Sequence, residues 1–221
     1  MADPKFADGS ASIDPNVPVQ ASSTGSWTIT FRVGGETISP GSAILISIPQ
    51  GFSPPQIDNP EAPGYVRAQA VHSEACLVPR IEAQSEDGLD LYRGQDSSPG
   101  VLLLAERAPL KPSDRLNLVY GAGPGMAFVS PYAGPASFQV FVCSEGRAFP
   151  ERFFPIREFP TIDVKSRDPS HFEVTAPSTA EPETAVALRV VPRDDLGNRC
   201  TGWSGWLDVE SNARGVRAPV P

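Results

Sequence analysis

The stretch Pro192-Arg193-Asp194-Asp195-Leu196-Gly197-Asn198-Arg199-Cys200 has residue types that could do chemistry. Two adjacent carboxylates, a glycine and an asparagine allow three readings: a calcium loop, an acid–base pair or a turn. Calcium loops place oxygen ligands at alternate positions and close with a distant glutamate. Here the order is Asp-Asp-x-Gly-Asn, and no acidic ligand follows within the loop. A general acid–base pair needs two carboxyls facing each other across a substrate. Neighbours at a strand end point to opposite faces instead. The turn uses every residue: Gly197 and Asn198 accept positive φ, and aspartate side chains bond back to turn amides. Apolar alternation on both sides fits a connection between neighbouring strands, so the residues favour the turn.

The other candidates are weaker. Gly121-Ala122-Gly123-Pro124-Gly125 has the look of a phosphate cradle, but such loops need converging backbone N–H groups and a following helix. Pro124 removes one N–H, and Met126-Ala127-Phe128-Val129 does not start a helix. His72 and His171 are the only histidines and each is isolated. No serine sits in a GxSxG elbow. The sequence therefore names no catalytic, cofactor-binding or metal-binding residue and no cofactor. Tyr65, Tyr132, Trp203 and Trp206 are candidate ligand-contact aromatics. On a strand Trp203 and Trp206 face opposite sides, so one is expected in the core. Arg147, Phe149, Arg152, Phe153, Phe154 and Arg157 form an arginine–aromatic strip of the kind enriched at interfaces, either a seam between modules or a docking strip.

These residues need elements to hold them, and the composition says which. The 221 residues include 25 prolines and 19 glycines, too many for long helices, yet 40% are hydrophobic. That combination predicts an all-β protein of short strands and irregular loops. The net charge of −8 and the scattered basic residues exclude a phosphate-tracking surface, so no nucleic-acid partner is expected. Cys76, Cys143 and Cys200 are widely spaced with no CxxC, which argues against a zinc or redox site and leaves two readings, reduced thiols, which are favoured, or one disulfide with a spare thiol. No apolar run approaches the roughly 18 residues of a membrane helix. The first residues lack a basic segment and an apolar stretch, so no signal peptide is expected in this chain and the cytoplasm is favoured.

Alternation places the strands. Trp27, Ile29, Phe31 and Val33 point one way and Thr28, Thr30 and Arg32 the other. Residues 42–49 are more uniformly apolar and read as an interior strand ended by Pro49. Further strands are expected over 66–71, 76–81, 100–106, 115–120 and 137–146, with a short one near 89–94. Residues 50–65 and 121–136 read as long irregular loops, which often carry function. Residues 1–24 read as an irregular arm and 25–158 as a β-sandwich-like domain. Residues 159–221 read as an immunoglobulin-like module, short or truncated, with strands in 171–179, 184–195 and 202–211. A module of that type needs about seven strands, more than this stretch supplies.

The run Ala187 to Ser211 is similar to the strand–turn–strand of bacterial immunoglobulin-like modules, with their Asp-x-x-Gly-Asn turn. More widely, "GSWTITFRVGG", "ILISIP", "PEAPGYV", "LVYGAGPGMAF", "FQVFVCSEG" and "HFEVTAPSTAEPETAVALRVVPRDDLGN" occur in an order that resembles one family. It is a poorly characterised bacterial group with a β-rich N-terminal region followed by a PHP-like metal-dependent hydrolase domain. The resemblance implies a non-catalytic accessory region, with an intramolecular catalytic domain beyond Pro221 as its partner. The Gly-Asp-x-His-x-His kind of motif that would open the hydrolase half is absent here. The alternative is a binding or adhesion module that works alone, on a carbohydrate or a protein.

Overall fold

The computed structural model describes residues 6–71, 74–82, 99–143, 153–181 and 183–208. Every regular element in these residues is a strand, so the protein is all-β. The chain divides into two compact units, Met1–Ser166 and Arg167–Pro221. In chain order the first contains β1 (Gly9–Asp14), β2 (Val19–Gln20), β3 (Thr24–Gly25), β4 (Trp27–Val33), β5 (Ala43–Ser47), β6 (Val66–Val71) and β7 (Cys76–Glu82). It continues with β8 (Gly100–Glu106), β9 (Arg115–Tyr120), β10 (Ala127–Phe128), β11 (Gly134–Ser137), β12 (Gln139–Cys143), β13 (Phe154–Pro155) and β14 (Thr161–Lys165). The second unit contains β15 (His171–Thr175) and β16 (Arg189–Arg193).

Two antiparallel sheets make the body of the first unit, one ordered β1-β4-β9-β6 and the other β13-β12-β5-β8-β7. The alternation of β4 drives their packing. Trp27, Ile29, Phe31 and Val33 turn inward beside Leu116, Leu118 and Tyr120 of β9. They share one core with Ile44, Ile46, Val101, Leu103, Val140 and Val142 of the opposite sheet, which makes a sandwich. Each fully buried leucine or isoleucine there contributes about 1.5–3 kcal/mol relative to exposure.

The five-stranded sheet is apolar on both faces. Leu45, Leu102, Leu104, Phe141, Cys143 and Phe153 form a second buried cluster on its outer side. This is why β5 and β8 are nearly continuous apolar runs rather than alternating ones. The four-stranded sheet differs: its outer face is polar, with Ser12, Thr30, Asn117 and Gln69 aligned on one rung across all four strands. Thr30 Oγ1 donates to Asn117 Oδ1 at 3.0 Å within that rung.

Several expectations shift. Residues 1–24, expected as an irregular arm, supply β1, which pairs with β4 from Gly9↔Val33 to Asp14↔Thr28, as well as β2 and the start of β3. The alternation in Gly9-Ser10-Ala11-Ser12-Ile13-Asp14 is real, but its small inward residues make it faint. The division of the chain lies at Ser166 rather than near 158, because β14 pairs with β11 and, in parallel, with β2. In the second unit β16 spans only Arg189–Arg193, and residues 203–208 form no strand. The strand expected near 89–94 lies outside the described residues. Among the described residues no helix is long and apolar enough to cross a membrane.

Candidate functional site

The stretches 50–65 and 121–136, both expected as irregular loops, lie against each other and are joined mainly through their backbones, although the second carries β10 and the start of β11. Ser53 N donates to the Phe128 carbonyl at 3.1 Å, and Phe128 N donates to Ser53 Oγ at 2.8 Å. Gly64 N reaches the Met126 carbonyl at 2.7 Å, and the amides of Gly121 and Ala122 both donate to the Tyr65 carbonyl. The glycines of the 121–125 run are explained by this approach. A Cβ on Gly123 would collide with the Pro60 carbonyl oxygen, and one on Gly125 would meet that of Glu61. The run is a packing surface for the other loop rather than a phosphate cradle. Gln56 tightens the arrangement, its Oε1 accepting from Asp58 N and Asn59 N while its Nε2 donates to the Ala62 carbonyl.

Each loop lends an aromatic side chain to its own depression. Tyr132 is 72% exposed and stands at a cleft of about 590 Å³ lined by Gln50, Ser130, Ser137 and Gln139. The polar side chains of that cleft are all uncharged. Ser130 is buried, and its Oγ accepts from Tyr132 N at 3.1 Å, which fixes the base of the tyrosine. Ser137 Oγ shares a 2.8 Å hydrogen bond with Thr161 Oγ1. Tyr65 is half-buried in a separate groove with Ile57, Arg67, Gln69 and Val119. An aromatic ring beside amides and hydroxyls can stack on an apolar ligand face while hydrogen bonding to hydroxyl groups around it.

The Asp194 stretch is a turn, and its geometry explains why. Asp194 is fully buried. Its Oδ1 accepts from Leu196 N at 3.0 Å and Asn198 N at 2.7 Å, while its Oδ2 accepts from Arg167 N at 2.9 Å and Asn198 Nδ2 at 3.0 Å. Four donors fill the carboxylate, and their N–H groups occupy the side from which a cation would have to approach. Burial alone would push this carboxyl up. The bonds from the Asn198 side chain and from the Arg167, Asn198 and Leu196 amides outweigh it and hold the group below its ordinary range. Asp195 points out to solvent and pairs with Arg167 Nη1 at 2.7 Å. Gly197 takes φ +84° and closes the turn by donating its N–H to the Asp194 carbonyl.

The remaining candidates are dispersed. Trp203 packs edge-on against Phe172 at 5.1 Å, whereas Trp206 is 92% exposed. Of the arginine–aromatic strip, Arg147, Phe149 and Arg152 lie outside the described residues. Phe153 is buried in the outer cluster of the five-stranded sheet and Phe154 is half-buried in β13. Arg157 is exposed over the Phe6 ring, 5.3 Å from its centroid. His171 opens β15 with Nδ1 3.0 Å from Ser170 Oγ, and His72 lies outside the described residues. Among the described residues no three His, Cys, Asp or Glu side chains are grouped to hold a metal ion. Sequence reasoning picked out Tyr132 but missed Gln50 and Gln139 beside it. Their signal, a polar residue at the edge of an apolar strand, is too common to stand out.

No family model and no curated protein matches the chain. Among solved structures it is similar to AvmM, described as catalysing macrocyclization in alchivemycin A biosynthesis. The match has 8% sequence identity and a TM-score of 0.35, and covers 76% of this chain and 99% of that one. A likeness of that degree carries no argument about activity.

Proposed function

We propose that the chain is a non-catalytic β-sandwich module that binds a neutral, hydroxyl-rich ligand, of the kind a sugar presents, at the Tyr132 cleft. The observation that supports this is the pairing of an exposed tyrosine with four uncharged hydrogen-bonding side chains, Gln50, Ser130, Ser137 and Gln139, in one depression. Uncharged partners suit a ligand without charge, and the backbone bonds between the two loops hold the cleft in shape before binding. A neutral-glycan array tests it. Binding that Tyr132→Ala removes supports the reading, and binding that the substitution leaves intact sinks it, as does a blank array.

We also propose that this module accompanies a metal-dependent, phosphoesterase-like hydrolase domain in a longer polypeptide, its second unit belonging to an immunoglobulin-like module. The order of sequence features resembling that bacterial family supports this reading, as does the Asp194 turn between strand and following chain. Sequencing the native reading frame past the codon for Pro221 tests it. A histidine-rich metal motif is expected there, and a stop codon would end this reading.

A further inference from the structure

We propose that the outer face of the four-stranded sheet is a binding surface for an acidic polysaccharide. The register puts Arg32 of β4 directly opposite Arg115 of β9, and Arg67 of β6 opposite Val119 two rungs along. All three arginines are exposed. Like charges directly opposite on neighbouring strands destabilise a sheet unless an anion or an acidic side chain lies between them. Among the described residues Arg67 and Arg115 have no ion-pair partner. Arg32 donates to Ser113 Oγ at 3.3 Å and shares a shallow depression with Asp8, whose carboxylate accepts from the Gly35 and Glu36 amides. Asp14 is the one acid on the three rungs. A chain with a net charge of −8 therefore concentrates three arginines on one face of a sheet.

The rung between the arginines selects the partner. Ser12, Thr30, Asn117 and Gln69 offer neutral donors and acceptors in a line across the sheet, suited to hydroxyl groups. Beside the rungs Tyr65 shares a groove with Arg67, Gln69 and Val119, but one half-buried ring is not the series of stacking platforms a nucleic acid uses. That groove mixes Ile57 and Val119 with Arg67 and Gln69, so it is not the purely apolar pocket a peptide anchor fills. A strip of arginines and hydrogen-bonding side chains matches a chain of hydroxyl-rich units bearing repeated carboxylates or sulfates. The inference stands apart from the Tyr132 cleft.

Affinity electrophoresis of the intact protein tests it, in native gels containing polygalacturonate, dextran sulfate, neutral dextran or polyglutamate. Retardation is expected in polygalacturonate or dextran sulfate, and the polymer that retards identifies carboxylate or sulfate as the anion. It should fade as sodium chloride is raised and weaken on the order of tenfold in Arg67→Gln/Arg115→Gln, while Tyr132→Ala leaves it unchanged. Near-UV circular dichroism checks that the double variant is folded; if it is not, the salt dependence of the unsubstituted protein decides. Retardation by neither charged polysaccharide, retardation insensitive to salt or to the double substitution, or equal retardation by polyglutamate overturns the proposal.

Discussion

Tyr120 Oη donates to the Ser53 carbonyl at 2.6 Å from inside the sandwich core, linking the end of β9 to the first irregular loop. The tyrosine is fully buried, stacked on Trp27 at 6.1 Å and edge-on to Phe138 at 6.2 Å. Ser53 is also bonded to Phe128, so one contact ties the core to both loops. Tyr120→Phe keeps the ring packing and leaves a buried carbonyl without its donor, which costs about 1–3 kcal/mol. Urea unfolding followed by near-UV circular dichroism should show that loss, whereas Tyr132→Phe should shift stability by less than about 0.5 kcal/mol.

The same phenol makes the first unit sensitive to alkali. Burial holds Tyr120 above its ordinary ionisation range. The folded group thus keeps its proton where the unfolded one releases it. Its contribution to stability is complete below the ordinary phenol value of about 10 and declines as pH rises beyond it. Unfolding titrations from pH 8 to 11.5 should show the decline in the unsubstituted protein and a smaller one in Tyr120→Phe.

Two glycines separate steric from conformational cost. Gly123 has ordinary backbone angles but no room, because Pro60 lies where its Cβ would go. Gly197 has open space around it but sits at φ +84°. Gly197→Ala should cost the left-handed penalty of about 1–2 kcal/mol, confined to the second unit. Gly123→Ala must push the loops apart. Its expected signature is faster amide hydrogen exchange at Gly121, Ala122 and Gly64.

The strands whose one-sided alternation is built from large residues were legible in advance. β4 and β9 fall where Trp27-Ile29-Phe31 and Leu116-Leu118-Tyr120 place them. β1 was not legible, because Gly9 and Ala11 carry little hydrophobic signal. The Asp194 turn could be read from residue types because its bonds are local. The joining of loops 50–65 and 121–136 could not: backbone hydrogen bonds leave no side-chain trace, and the glycines that permit the approach resemble those of any loop. The Arg32–Arg115 opposition was hidden for another reason. It exists only once the register of β4 against β9 is fixed.

The three cysteines are free thiols in different surroundings. Cys143 and Cys200 are buried, the latter with Sγ 3.3 Å from the Arg167 carbonyl, whereas Cys76 is half-buried at the start of β7. Access governs thiol modification in the native state. Iodoacetamide followed by peptide mass spectrometry should label Cys76 first, and Cys143 and Cys200 at comparable rates only in denaturant.

Asp194 sets the acid limit of the second unit. Its carboxylate holds three backbone amides and the Asn198 side chain, and these bonds keep it ionised below its ordinary range. The folded state therefore binds fewer protons than the unfolded state at acidic pH, so stability rises with pH in that window. The contribution is complete above the unfolded value of about 3.9 and is lost as pH falls through the lower folded value. The Leu196, Asn198 and Arg167 amide resonances should hold their positions from pH 7 to pH 5 and shift together only below about pH 4. Asp194→Ala removes all four acceptor interactions at once and leaves their donors without a partner. It should cost more than about 2 kcal/mol and shift the β15–β16 resonances at neutral pH, while those of β4 and β9 in the first unit stay in place.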